Sequence, residues 1–154
     1  MPGVSGAGAV AGTKIYIGTI ETVASPDDWI EIGQVSSLGD VGLTFSKIAI
    51  ESVGNGFTFQ IKGTQSAPSC SMVLNRDDTD AGQAAVRLAS VDRNGKYNFK
   101  VVENDIGTGF SATTAFFKGR IYGYGTSYGG VNAVKQVKFD IEIEPDTIIN
   151  VSAT

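Results

Sequence analysis

The 154-residue sequence predicts a mostly β domain, a β-sandwich or barrel-like sheet with one flanking α-helix. Twenty glycines separate short runs of β-branched and aromatic residues, which is typical of strands joined by turns. Residues 136–144 alternate strictly between apolar and polar side chains, the pattern of a half-buried strand. One stretch, at about 79–91, has helical periodicity together with a capping residue.

Two regions are predicted along the chain. Residues 1–12 are small and without periodicity, which predicts a flexible N-terminal arm. Residues 13–154 contain no linker and no internal repeat, so we expect a single β domain. The arm lacks the basic start and apolar stretch of a signal peptide, and no apolar run reaches the roughly 20 residues of a membrane span. We therefore expect a protein that is made in the cytosol and has no membrane segment.

Residues 33–56 are predicted to form a long hairpin excursion, because glycines bracket a strand-like stretch there. Its apolar residues fall on two faces, Leu43 and Phe45 on one and Ile48 and Ile50 on the other. A strict period of two cannot hold across Ser46–Lys47, so we expect either a β-bulge or a change of packing surface at that point.

The next two elements have clearer patterns. In the run FTFQI, residues 57–61, the alternating Phe57, Phe59 and Ile61 are expected to face the core. In the helix at about 79–91, Asp80 is expected to be the N-cap, with Gln83 completing a capping box.

The last strand carries a row of carboxylates. Its apolar positions, Val137, Phe139, Ile141 and Ile143, alternate with polar ones that include Asp140, Glu142 and Glu144. The three carboxylates would share one face of the strand and repel one another. The row can be an ordinary solvated face or, in a closed ring of subunits, the negative wall of a passage that would repel DNA.

Composition excludes several functions. The net charge of −4 is unsuited to holding nucleic acid through its phosphates. Histidine is absent, which removes the usual general base and metal ligand. Asp78, Asp80 and Gly82 resemble only part of a calcium loop. The single cysteine, Cys70, lies in an apolar run and is expected to be a buried structural thiol. We therefore predict no catalytic, metal or cofactor site.

The order of these parts resembles the tail tube proteins of siphophages, with similarity to type VI secretion tube proteins. The similar features are the arm, the excursion at 33–56, the run FTFQIKGTQSAPSCSMVLNRDDTDAGQAAVRLAS with its capped helix, and the terminal strand VKFDIEIEPDT. The resemblance implies a structural subunit that forms hexameric rings, stacked into a conduit for DNA delivery in the virion tail and assembled in the host cytoplasm. It also implies tape measure, tail terminator and tail tip proteins as partners, and DNA that passes through without specific binding.

Within that resemblance we predict where the contacts lie. The strands at 115–124 and 136–144 are expected to contribute to the ring wall. The arm and the excursion are expected to bridge adjacent rings through a set of mostly apolar residues: Val4, Val10, Leu43, Phe45, Lys47, Ile48 and Ile50.

Two other classes of function remain open from the sequence. Aromatic residues could stack on sugars in a small carbohydrate-binding or adhesin module, with Trp29, Tyr122, Tyr124 and Tyr128 as the candidates. The Gly-rich stretch at 122–130 is more simply explained as a hairpin. A carboxylate-dependent hydrolase is the third class, since 16 acidic residues will form some pairs by chance.

Overall fold

The computed structural model describes residues 11–18, 28–104 and 112–152. These residues form ten β-strands and one α-helix, which confirms the predicted mostly β class with a single helix. The strands are β1 (Lys14–Ile17), β2 (Ile30–Ile32), β3 (Val35–Ser37), β4 (Thr44–Glu51), β5 (Thr58–Ser66), β6 (Cys70–Asn75), β7 (Tyr97–Val102), β8 (Thr114–Ser127), β9 (Gln136–Ile143) and β10 (Ile149–Val151). The helix α1 (Ala81–Val91) connects β6 to β7, and a short 3-10 helix at Pro145–Thr147 connects β9 to β10.

Eight of the strands form one antiparallel sheet that curls back on itself. Its strand order is β2-β1-β7-β8-β9-β6-β3, with β10 paired to β8. The two end strands, β2 and β3, are separated in the chain only by Gly33 and Gln34. Gln34 has a positive φ of 59°, which permits the sharp turn between them. Because the ends of the sheet are neighbours along the chain, the architecture is barrel-like.

The inner face of the sheet forms the hydrophobic core. The alternation predicted for the last strand is confirmed, since Val137, Phe139, Ile141 and Ile143 are all buried in β9. Phe99 and Phe117 stack at the centre, with ring centroids 5.4 Å apart. Such an aromatic pair adds roughly 0.5–1.5 kcal/mol to the apolar area that it buries.

The helix α1 packs against β8, β2 and β1. Gly82, in its first turn, lies against β2 so closely that an added Cβ would come within 2.0 Å of the Glu31 carbonyl oxygen. Only glycine permits this approach. Asp80 caps the helix as predicted, since its carboxylate accepts hydrogen bonds from the backbone N–H groups of Gln83 and Gly33, both at 3.0 Å.

The second half of the predicted capping box is wrong. The Asp80 N–H donates to the Asp77 carbonyl oxygen and not to the side chain of Gln83. The Gln83 amide instead donates to the carbonyl oxygens of Gly33 (3.2 Å) and Asn75 (2.8 Å) and accepts from the Asp77 N–H (3.0 Å). One buried side chain therefore connects the β2–β3 turn to the end of β6.

We predict that replacing Gln83 with leucine lowers the free energy of unfolding by about 3 kcal/mol, because it leaves two carbonyls and one N–H without their partner. Urea denaturation of the unassembled subunit measures this. Arg87→Leu, one turn further along the exposed side of α1, is the matched control and should change stability by less than about 0.5 kcal/mol. Equal losses for the two variants would contradict the structural role of Gln83.

The predicted hairpin excursion was placed wrongly. Residues 35–37 belong to the main sheet, where β3 pairs with β6. The hairpin is formed by β4 and β5 and spans 44–66, so the run 57–61 is part of its returning strand. Its turn lies between Glu51 and Thr58, which face each other across the two strands, and Lys47 is therefore in mid-strand and not at the tip.

Candidate assembly surface

The β4–β5 hairpin is a separate two-stranded sheet. No described strand outside the hairpin pairs with β4 or β5. An isolated hairpin in water is marginally stable at best, because it has no layer on which to bury its side chains. Its free outer edges also present unpaired backbone N–H and C=O groups. The hairpin is therefore the part of the described chain that most requires a partner.

Apolar side chains cover this hairpin although no other described strand pairs with it. Seven large ones are between 42% and 66% exposed: Leu43, Phe45, Ile48, Ile50, Phe57, Phe59 and Ile61. The prediction that Phe57, Phe59 and Ile61 face the core is wrong. Their alternation is real, but it marks a surface left open in the single subunit. Contiguous exposed apolar groups of this kind indicate a protein–protein contact.

The cross-strand register sorts the hairpin residues into two faces. Ile48 lies opposite Ile61 and Ile50 opposite Phe59, so these four side chains form one surface, here called the apolar face. Lys47 lies opposite Lys62 and Ala49 opposite Gln60, and they form the other surface, here called the lysine face. Phe45 belongs to the lysine face, since the Lys62 Nζ lies 4.8 Å from the centroid of its ring.

The irregularity expected at Ser46–Lys47 is present as a β-bulge. The register shifts between Phe45 and Lys47, and the extra residue is on β5, where Gly63 and Thr64 together oppose Ser46. An added Cβ at Gly63 would lie 2.4 Å from the Ser46 Oγ, so a larger residue there would force the Ser46 side chain to move. Because of the bulge, the polar side chains at the base of the hairpin lie on the same face as the apolar side chains nearer its turn.

The three carboxylates predicted to form a row all lie on the outer face of the main sheet, but each has a partner. Asp140 accepts a hydrogen bond from the Ser71 hydroxyl at 2.7 Å, and Glu142 accepts one from the Ser69 hydroxyl. Glu144 forms an ion pair with Lys96 at 2.6 Å.

Cations lie beside the carboxylate row. Arg120 is the cross-strand neighbour of Glu142, and Lys138 precedes Asp140 by two residues on the same face. These cations offset part of the negative charge of Asp140 and Glu142, although neither carboxylate forms an ion pair within the described residues. That this face lines a passage stays a prediction.

The aromatic residues considered for sugar stacking do not form one platform. Trp29 packs near Phe116, with centroids 6.0 Å apart, and Lys100 lies over its ring. Tyr122 is six residues further along β8 than Phe116, a separation of about 20 Å. Tyr124 is partly buried and stacks on Phe139. The Gly-rich stretch joins β8 to β9, as expected of a hairpin.

The remaining sequence candidates carry no arrangement for chemistry in the described residues. Cys70 is buried as predicted, and burial together with Asp40 and Asp140 raises its pKa to about 11. Residues 11–18, 28–104 and 112–152 contain no group of three His, Cys, Asp or Glu side chains suited to a metal ion. No helix in those ranges is long and apolar enough to span a membrane. Val4 and Val10, with the rest of residues 1–10, lie outside the described residues.

Solved structures superpose on this chain over most of its length. A chain of the SPP1 tail tube superposes with a TM-score of 0.71 at 16% identity, covering 94% of this chain and 80% of that one. The chain has the fold of a tail tube protein. A chain of the extended sheath–tube complex of PVC, an extracellular contractile injection system, superposes with a TM-score of 0.69 at 13% identity, covering 97% and 95% of the two chains.

The tail tube fold also matches a chain in the virion of a native gene transfer agent particle, with a TM-score of 0.62 at 15% identity, covering 90% and 95%. No protein-family model and no curated protein matches the sequence. The tail tube resemblance seen in the sequence is therefore confirmed at the level of the fold.

Proposed function

We propose that this protein is a non-enzymatic structural subunit that self-assembles into the tail tube of a long-tailed bacteriophage. The observation that carries the proposal is the open β4–β5 hairpin, whose strands pair with no other described strand and whose large apolar side chains are 42% to 66% exposed. A second copy of the same chain can supply a partner for this hairpin, so no other protein is required. A contact between two different surfaces generates rings where it closes and filaments where it does not, and a tube needs both.

In the proposed tube, hexameric rings stack head to tail into a conduit for DNA delivery. β8 and β9, which correspond to the predicted wall strands 115–124 and 136–144, contribute to the ring wall. Adjacent rings are bridged by the hairpin, including Leu43, Phe45 and Ile48, and by the N-terminal arm. Tape measure, terminator and tip proteins are the proposed partners, with the virion tail as the location and the host cytoplasm as the place of assembly.

A tube of a contractile injection system is the second candidate. The superposition on the PVC sheath–tube complex, whose chain is covered to 95%, supports it. Such a tube would be surrounded by a sheath, whereas the tube of a siphophage would not. A carbohydrate-binding module is disfavoured, because Trp29, which precedes β2, packs near Phe116, and Phe116 is six residues along β8 from Tyr122.

Negative-stain electron microscopy of concentrated protein tests the proposal. We expect stacked rings or tubes of uniform diameter. A variant lacking residues 2–12 should remain folded by circular dichroism and fail to form long tubes if the arm bridges rings. A wild-type chain that stays monomeric at millimolar concentration would overturn the proposed function, and retention of that monomer on a glycan column would favour the binding-module alternative.

A further inference from the structure

The lysine face of the hairpin carries an unusual pair of like charges. Lys47 and Lys62 lie directly opposite each other across β4 and β5, and both are exposed. Like charges in that position destabilise a strand pair. Neither lysine forms an ion pair within the described residues. The one carboxylate on the hairpin, Glu51, is four residues from Lys47 along the same strand, a distance of about 13 Å.

The chain as a whole has the opposite charge, since it carries 16 acidic and 12 basic residues. Asp140 and Glu142 are the two carboxylates of the β9 row that lack an ion pair among the described residues. Asp40 adds negative charge to the same area, because both it and Asp140 act on the thiol of Cys70. Arg120 and Lys138 lie on the same face and offset part of this negative charge, so the attraction for a further cation comes from the two carboxylates themselves, neither of which forms an ion pair within the described residues.

We propose that the lysine face of one copy binds Asp140 and Glu142 of a second copy, which sets the register of the subunit contact. The proposal rests on the self-assembly proposed above and names the charged partner within it. Lys47 and Lys62 are roughly 5 Å apart at Cβ, as expected for directly opposed residues. Asp140 and Glu142, two residues apart on one strand, are separated by roughly 7 Å. Two lysine side chains can reach both carboxylates at once.

Aromatic groups accompany the charges on both surfaces. Phe45 lies beside Lys62 on the hairpin, and Tyr122 is the cross-strand neighbour of Asp140 and is half exposed. Arg120 lies opposite Glu142 and Lys138 lies two residues from Asp140, so each of the two acceptors already has one cation nearby. The contact would supply the counter-charges that the two lysines lack on the hairpin. It also gives Asp140 and Glu142 a role different from the one predicted from the sequence, in which they line a passage.

Charge reversal on the two surfaces tests the contact. K47E/K62E, and separately D140K/E142K, should each raise the critical concentration for tube formation by roughly tenfold or more. D140N/E142Q, which keeps side-chain size, should show the same direction of change if D140K/E142K does not fold. The matched control for K47E/K62E is R87E/R93E, which makes the same change in net charge on exposed positions at and after α1 and should assemble like wild type.

A mixture of the two reversed variants gives the decisive readout. Each hairpin then meets a face of opposite charge, so an equimolar mixture of K47E/K62E and D140K/E142K should assemble although neither does alone. A merely structural role of these residues predicts no rescue. If wild type assembles and K47E/K62E assembles at the concentration of R87E/R93E, the charge contact is wrong while the tube function stands. If wild type itself never assembles, the tube function fails.

Discussion

Replacing Ile48 and Ile61 with aspartate is expected to abolish tube formation while leaving the subunit folded. These two residues face each other at the centre of the apolar face and are each about half exposed in the single chain. Burying two carboxylates in a contact without counter-charges costs several kcal/mol. The critical concentration should therefore rise at least a hundredfold, which corresponds to a loss of about 2.7 kcal/mol in the free energy of association. Sedimentation of assembled protein across a concentration series measures the effect.

A matched control separates this loss from a general effect of added charge. Leu88 and Val91 on α1 are more exposed still, at 69% and 77%, and they are not part of the hairpin. L88D/V91D should therefore assemble like wild type. The melting temperature of the unassembled I48D/I61D variant should stay close to that of wild type, because neither residue packs on the core. Normal tubes from I48D/I61D would remove the hairpin from the subunit contact.

The largest effect on stability is expected from Phe117→Ala. Phe117 is fully buried and stacks on Phe99 at the centre of the sheet. Its removal loses apolar burial and leaves a cavity that the surrounding strands can only partly fill, which costs about 3–5 kcal/mol. A loss of that size is a large part of the free energy of unfolding of a small domain. Urea denaturation of dilute, unassembled protein is the measurement.

Phe116→Ala is the matched control for the core substitution. The same side chain is removed one position earlier in β8, where Phe116 is on the outer face and only partly buried beside Trp29. Its loss should be clearly smaller, because part of the ring is already in water. Similar losses for the two variants would mean that the outer face of the sheet is packed as tightly as the core.

The elements that could be predicted from the sequence are those whose burial is complete within one chain. β9 has a core on one face and polar groups on the other, so its period of two translates directly into structure. The helix α1 was found because Asp80 caps it and its residues have helical periodicity, but the side that it buries carries Gly82, Gln83, Val86 and Ala89, while Leu88 is exposed. Only for β9 do the local pattern and the tertiary environment agree in full.

The hairpin shows where the same reasoning fails. Alternation at Phe57, Phe59 and Ile61 indicates that one strand face becomes buried, but it does not say by which molecule. Because that face was interpreted as core, the strand β5 was assigned to the main domain and the excursion was predicted to end at residue 56. Gly63 stands among polar residues near the end of β5. A glycine inside a strand often marks a bulge, so the sequence did contain a sign that β5 carries the extra residue.

Contacts between distant parts of the chain were also beyond the sequence. Gln83 was expected to bond back to Asp80, three residues away, yet its amide is directed to Gly33, fifty residues earlier. The pairing of Glu144 with Lys96 likewise depends on the arrangement of β7 and β9 around β8. Sequence spacing predicts hydrogen-bond partners that are close along the chain, whereas the folded sheet brings together residues that are far apart in sequence.

The short connection through Gly33 and Gln34 has a consequence for the order of events. The main sheet is formed by its own eight strands, and neither β4 nor β5 takes part in it. A newly made subunit can therefore finish folding before it meets a neighbour. In the proposed tube, growth would then depend on nucleation, because the β4–β5 hairpin gains packing partners only from neighbouring copies.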